Sequence, residues 1–469
     1  MKSKSRFFLF LPLFIPAVVC SQLRLPAILS SGMVLQQNDS AALWGWAGPG
    51  EKVFVTTGWD NRTDSTIVSS GATWRMRVKT PAAGGPYTIT LRSRNTIRLE
   101  DVMMGEVWVC SGQSNMEWSF YNGAKDIGPE LAHCYTKNIR FYHIPKTTAT
   151  GAQDDTKAQW TVCDSNTLKS FSAVGYFFGK KLQEQLQVPI GLINASWGGT
   201  PAEAWTPAEI VQGDTLLKAA AGQLQPSKWW PVQPGLAWNA MVAPITSFKI
   251  AGAIWYQGES NTGTNSSYRQ LLTTMIDAWR QAWNKAFPFY YVQIAPYKYG
   301  NENIAALLRE AQTKAMQHPN TGMVVITDLV DSVTNIHPSQ KHDVGYRLAG
   351  WALAETYHRT GIYYKSPQFK AAEKKGDKLV LSFDNLPTTL VARGKPITGF
   401  YVSGAQQAWY PAEASIEKDK VIIKSKAVKD PVFVRYGFSN TLIGNVFSAE
   451  GLPLCPFRSD EWQVEQGKL

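Results

Sequence analysis

Between positions 105 and 364, apolar runs of four to eight residues alternate with stretches in which apolar side chains recur every three or four positions. Short continuous apolar runs suit strands buried on both faces, and the 3.6-residue recurrence suits helices packed by one stripe. The alternation therefore predicts an α/β domain built around a parallel sheet. The expected strands are 107–110, 191–195, 250–256, 289–294 and 323–327. The clearest helix covers 268–283, where Tyr268, Leu271, Leu272, Met275, Ile276, Trp279 and Trp283 share one face. Residues 173–186, 304–318 and 341–357 also read as helices.

The flanks have a different period. Residues 41–46, 52–57 and 87–92 are β-rich runs separated by Gly, Pro, Asn and Asp, and 378–383, 399–402, 420–423 and 432–436 repeat that pattern after the α/β region. The chain thus divides into an N-terminal β-sandwich-like region (22–104), an α/β domain (105–364) and a C-terminal β-rich region (365–469), with no internal repeat. A length of 469 residues accommodates a main domain of about 250 residues and smaller companions.

Residues 1–21 stand apart. Lys2, Lys4 and Arg6 precede an uncharged apolar run from Phe7 to Cys20, which has the layout of a secretory signal peptide and implies a periplasmic or secreted protein, with lipid anchoring through Cys20 as the alternative. The run is about 14 residues and contains Pro12 and Pro16, whereas a bilayer span needs about 20, so no stable membrane insertion is expected. The net charge of +11 falls to +8 without the three leader cations, and the remaining basic residues are dispersed, which argues against a nucleic-acid partner. Cys110, Cys134, Cys163 and Cys455 fit no C-x-x-C spacing. A Cys134–Cys163 disulfide is conceivable, but buried free thiols are the expectation.

In an open α/β sheet, ligands sit beyond the carboxyl ends of the strands, so the residues after each strand are the ones to read. The first strand runs into Ser111-Gly112-Gln113-Ser114-Asn115-Met116, a tight turn that would present the Ser114 hydroxyl. Met116 stands where a G-x-S-x-G elbow has its second glycine, so that template does not transfer. The second strand ends in Ser196-Trp197-Gly198-Gly199-Thr200, whose glycines allow a backbone N–H close to a ligand, as an oxyanion hole requires. The third ends in Tyr256-Gln257-Gly258-Glu259-Ser260-Asn261, which offers the Gln257 and Asn261 amides as further donors. The fifth is followed by Asp328, Asp331, Asn335 and His337. Each segment alone reads as an ordinary polar loop. Their convergence points to a serine hydrolase in which His337 takes the Ser114 proton and an Asp orients the imidazole.

Ser114, Gly198 or Gly199, Asn261 and His337 fall in the order of the Ser-Gly-Asn-His set of the SGNH hydrolases. The fuller strings Ser-Gly-Gln-Ser-Asn-Met, Trp-Gly-Gly-Thr-Pro-Ala-Glu-Ala-Trp, Trp-Tyr-Gln-Gly-Glu-Ser-Asn and Ile-His-Pro resemble the sialate O-acetylesterase branch of that superfamily. The resemblance extends from the Gly-Met-Val-Leu-Gln segment near the N-terminus through Val434-Arg435-Tyr436-Gly437 to Pro456-Phe457-Arg458. It implies a three-layer α/β/α, flavodoxin-like esterase domain with accessory β-structure, which hydrolyses acetyl esters on a glycan without a metal or other cofactor. O-acetylated sialic acid is the first substrate it implies; the related acetylxylan esterases share the strings and supply the alternative. Many SGNH enzymes place the orienting Asp three residues before the His, where this chain has Thr334. Asp331 is the expected acid, then Asp328, and a dyad aided by a backbone carbonyl or by Asn335 stays open.

Substrate contacts are expected from the 18 tryptophans, whose ring faces stack on pyranoses. Trp118, Trp197 and Trp205 adjoin the motifs, although core packing accounts for most tryptophans. Arg347, Arg435 and Arg458 could meet a substrate carboxylate. A non-catalytic carbohydrate-binding protein is the rival from another class, and a serine-reactive fluorophosphonate would leave it unlabelled. A metal hydrolase finds no support in six scattered histidines. The sequence is silent on oligomeric state.

Overall fold

In the computed structural model, which describes residues 22–300 and 303–464, six parallel strands form the centre of a larger mixed sheet. The order is Thr321–Val324, Phe289–Val292, Gly252–Tyr256, Thr96–Gly112, Ile190–Ser196 and Thr136–His143, with Trp160–Cys163 antiparallel on the last edge. The signal-peptide reading falls on residues outside those described.

Burial on both faces explains the continuous apolar runs. Along the central strand Val107 and Val109 join one core while Trp108 and Cys110 join the other, and Ala253/Ile254 and Tyr291/Tyr290 divide the same way. Helices Asn265–Trp283 and Ile304–Ala315 cover the first face; Ala173–Leu186 and His342–Trp351 cover the second. Helix Asn265–Trp283 buries the seven-residue stripe read from the sequence. Among the described residues, Cys110, Cys134, Cys163 and Cys455 are buried and unpaired.

The strand Thr96–Gly112 is 17 residues long and runs straight through the 104/105 position read as a boundary. Its first half pairs antiparallel with Gly84–Arg92 and parallel with Val34–Gln36, and its second half is the middle of the α/β sheet. The N-terminal β region and the α/β region consequently share one apolar core, from Leu23 and Val53 through Val107 to Trp279. The C-terminal region has its own core, around Leu381, Val402, Val421 and Val434, beneath small antiparallel sheets. It docks through the ion pair of Arg458 with Glu310.

Chain order and strand order diverge at the central strand: the chain crosses to Thr136–His143, returns to Ile190–Ser196, then passes to the other side at Gly252–Tyr256. Such a switch point leaves a crevice at the carboxyl ends of the strands.

Candidate active site

Ser114 sits at that crevice, at the start of the four-residue helix Ser114–Glu117. The turn into the helix needs Gly112, whose φ is +136° and where a Cβ would lie 2.2 Å from the Tyr256 carbonyl oxygen. A helix's first N–H groups have no intrahelical acceptor, and the Ser114 N–H meets none among the described residues. His337, on the loop before helix His342–Trp351, places Nε2 2.9 Å from Ser114 Oγ. The distance is within hydrogen-bond range for a base and its nucleophile.

The ring of His337 stacks on Trp118 with centroids 4.0 Å apart. Asn335 and His337 exchange backbone-to-amide hydrogen bonds of 3.0 and 2.9 Å, which fix the main chain at the histidine. Burial, and then the charge of Lys341, push the imidazole down from 6.5 to about 4, against the opposing pull of Glu117. His337 is therefore neutral, and able to accept a proton, across the ordinary pH range.

The expected acids lie elsewhere. Asp331 Oδ2 accepts the Ser339 N–H at 2.8 Å, and Asp328 forms a bidentate pair with Arg347 at 2.7 and 2.6 Å. Among the described residues, the only hydrogen bond of the His337 ring is the one to Ser114. The Asp-three-before position is Thr334, and the loop uses its carboxylates for its own geometry.

The oxyanion candidates separate into two kinds. Gly198 lies against Ser114, since a Cβ on it would come within 3.2 Å of Ser114 Cβ. Its N–H donates to Glu117 Oε2 at 2.6 Å, while the other Glu117 oxygen pairs with Lys146. Gly199 takes φ +82° beneath the Trp230 ring.

Gln257 and Asn261, expected to aim their amides at the oxyanion, instead spend them inward. Asn261 Nδ2 donates to Glu203 Oε2 at 2.9 Å and Thr264 Oγ1 at 3.2 Å. Gln257 Nε2 donates to Asn261 Oδ1 at 2.7 Å and the Thr200 carbonyl at 3.3 Å. Both side chains are fully buried and brace the loops behind the site. In a buried loop, side-chain and backbone acceptors compete for every amide donor, and spacing along a sequence cannot say which acceptor wins.

The substrate-contact expectations divide similarly. Trp118 stacks on His337; Trp197 is half-buried with its indole N–H on the Trp229 carbonyl; Trp205 is wholly buried against Trp255. None of the three arginines is free: besides the Arg347–Asp328 pair, Arg435 is held by Asp460 at 2.9 and 2.8 Å, and Arg458 by Glu310. Beside Gly199 opens a cleft of about 400 Å³ lined by Pro201, Leu224, Trp230, Val232, Ser260 and Thr264 among others, with no charged side chain. A larger cleft of about 600 Å³, between the sheet edge and the C-terminal region, contains none of these residues. No group of three or more His, Cys, Asp or Glu among the described residues is arranged to hold a metal, and no described helix is long and apolar enough to cross a membrane.

Several residues of the site were not singled out from sequence: Gln113, Asn115, Glu117, Glu203, Glu259 and Lys341. Gln113 Oε1 accepts the Gly258 and Ser260 N–H groups at 3.2 and 3.3 Å. Asn115, Glu259 and Lys341 form a buried group under Ser114 and His337. The available signal was position, because four of the six lie inside the motif strings, Glu117 directly follows the first of them, and Lys341 follows His337 by four residues.

The family described as carbohydrate esterase, sialic acid-specific acetylesterase, has a sequence profile that matches residues 104–358. The sialate O-acetylesterase of Pongo abelii is 32% identical over 385 residues, 73% of this chain and 73% of that protein. The sialate O-acetylesterase of Homo sapiens is 31% identical with the same coverage. The crystal structure of a carbohydrate acetylesterase from Xanthomonas citri superposes with a TM-score of 0.86 at 36% identity, over 94% of this chain and all (100%) of that one.

Proposed function

The chain belongs to the sialic acid-specific acetylesterase family of carbohydrate esterases and is a carbohydrate O-acetylesterase, and from that premise we propose that Ser114 and His337 carry out the hydrolysis through an acetyl-enzyme. His337 Nε2 takes the Ser114 hydroxyl proton as Oγ attacks the acetyl carbonyl. The oxyanion faces the Ser114 N–H and the Gly198/Gly199 backbone, and the Glu117 carboxylate, which keeps its pair with Lys146, releases the Gly198 N–H as it forms. The imidazolium protonates the departing sugar oxygen. Water, activated by the same histidine, then releases acetate.

The 2.9 Å contact between His337 Nε2 and Ser114 Oγ, at the carboxyl edge of the sheet, carries this reading. We read residues 105–364 as an SGNH-type α/β/α esterase unit of flavodoxin-like order, with residues 22–104 and 365–469 as accessory β regions. The export reading of residues 1–21 goes with a periplasmic or secreted enzyme.

O-acetylated sialic acid is the substrate the curated relatives suggest. A specific observation favours a second reading, an acetylated neutral glycan such as acetylxylan. The cleft beside Gly199 has no charged lining residue, the arginines suited to a carboxylate are committed to ion pairs, and Trp229, 79% exposed, stands next to that cleft's Trp230. Ring faces bind pyranoses without any charge.

The test is acetate release from O-acetylated sialic acid and from acetylated xylo-oligosaccharides in parallel, with wild type and Ser114→Ala. Release that Ser114→Ala abolishes supports the mechanism, and the better substrate decides the sugar. Equal release by both proteins would remove Ser114 from the chemistry.

A further inference from the structure

A histidine that acts as base and then holds a charge needs to be kept in place, and the usual carboxylate is missing from this site. Four segments meet below His337, and one side chain touches all of them. Asn115 is fully buried and directly follows Ser114. Its Oδ1 accepts a hydrogen bond from Lys341 Nζ at 2.6 Å; its Nδ2 donates to Glu259 Oε1 at 2.6 Å and to the carbonyl of Ile336 at 3.0 Å. Ile336 is the residue before His337.

We propose that Lys341, acting through Asn115, is the positioning residue that stands in for the missing triad acid. This rests on the reading of Ser114 and His337 as the reacting pair.

The geometry admits one orientation of the Asn115 amide. An ammonium only donates, so it must face Oδ1; the carbonyl and the carboxylate mainly accept, so they must face Nδ2, which has two hydrogens for two acceptors. The two acceptors already disfavour a flip, which would set Oδ1 against the Ile336 carbonyl and the Glu259 oxygen; Lys341 adds the one donor that Oδ1 meets among the described residues, and without it that buried oxygen is unpaired and its end of the amide is no longer tethered. The histidine's main chain is therefore held from the solvent side by Asn335 and from the sheet side by Asn115, and Trp118 holds the ring.

Lys341 is wholly buried at the start of helix His342–Trp351, with its ammonium 5.4 Å from the centre of the Tyr256 ring. The carboxylates that face it are Glu259, Asp126 and Asp331; burial lowers it to about 7 against their pull. Two charged groups face His337: Lys341, which opposes protonation of the ring, and Glu117, which favours it. At the acid pH where His337 gains its proton, Lys341 is charged, so it both locks the amide and keeps the base free.

The two roles separate by substitution. Lys341→Met removes donor and charge; Lys341→Gln keeps an N–H for Asn115 and removes only the charge. We expect Lys341→Met to lower kcat by about 10- to 100-fold at nearly constant KM, the scale of a small misplacement of a reacting group. Lys341→Gln should recover most of kcat, and in both variants the acid limb of kcat/KM should move to higher pH. In an Asn115→Leu background the effect of Lys341→Met on kcat should disappear, since its route is gone.

Wild-type kcat in Lys341→Met, or an additive loss in the double variant, would overturn the positioning role. If Lys341→Met fails to fold, wild-type kcat in Asn115→Leu overturns the proposal, because the route from Lys341 to the His337 main chain is then not needed. Failure of the underlying mechanism is distinguishable, because then the unmodified enzyme itself would show no Ser114-dependent release.

Discussion

Replacing Asn261 by Ala separates two roles that the sequence could not. The side chain makes four hydrogen bonds: Oδ1 accepts from the Ala202 N–H at 3.0 Å and from Gln257 Nε2, and Nδ2 donates to Glu203 and Thr264. Truncation leaves the Ala202 N–H without an acceptor. It also leaves Glu203 without that donor, in a carboxylate whose Oε1 already has no partner and whose pKa burial has raised. Each orphaned buried group costs about 1–3 kcal/mol, more for a carboxylate, which sums to about 3–5 kcal/mol. At about 2–4 °C per kcal/mol for a domain of this size, the melting temperature should fall by on the order of 10 °C.

An oxyanion donor behaves in the opposite way. Its removal leaves stability nearly unchanged and lowers kcat by about 10²–10³. Thermal unfolding followed by tryptophan fluorescence, beside kcat for an activated acetate ester on the protein that remains folded, distinguishes the two. A melting temperature within about 1 °C of wild type, together with a fall in kcat of order 10², would refute the bracing role and return Asn261 to the oxyanion hole.

Activity should persist into acid. A base must be neutral, and with His337 held down to about 4 rather than 6.5, kcat/KM should stay level from neutral pH through 6 and drop only near that lower value; a limb centred at 6.5 contradicts the depressed imidazole. Asp331→Asn should change kcat by less than about 10-fold, because that carboxylate accepts from Ser339 and not from the histidine. A triad acid costs about 10⁴ when replaced by its amide, so a loss of that order in steady-state kinetics would reinstate Asp331.

Much of this architecture was legible because burial on both faces leaves a strong trace. The five parallel strands read as apolar runs all formed, and helix Ala173–Leu186 has the bounds its periodicity suggested. Thr136–His143 and Trp160–Cys163 escaped notice because strands toward a sheet's edge keep polar positions; Lys137, Asn138 and Arg140 interrupt the first, and Arg140 is buried with its guanidinium on Asp101 and on the Lys137 and Gly32 carbonyls. The helix expected over 341–357 is α-helical to Trp351 and then widens to a π turn, Ala352–Thr356, beside Tyr357, whose hydroxyl donates to Glu106. A spacing argument sees the stripe and not the widened turn. At the site, strand ends located Ser114, Gly198 and His337, but the destinations of the amides and carboxylates depend on which loops meet in space.

Those meetings have a common logic. The strings Gln113-Ser114-Asn115 and Gln257-Gly258-Glu259-Ser260-Asn261 follow neighbouring strands and bind each other: Gln113 accepts from the Gly258 and Ser260 N–H groups, and Asn115 donates to Glu259. Ser260 Oγ then donates to the Gly199 carbonyl at 2.9 Å, joining the third loop. An amide offers donor and acceptor at once and is uncharged, so it can bridge two main chains in a buried place without the desolvation cost of an ion. The few charges admitted, Glu203, Glu259 and Lys341, each terminate an amide at 2.6–2.9 Å. The network thus holds Ser114, the Gly199 main chain and the His337 loop together, with no aspartate on the His337 ring among the described residues. Loosening any one amide should be felt at Ser114 even though none of them touches the ester.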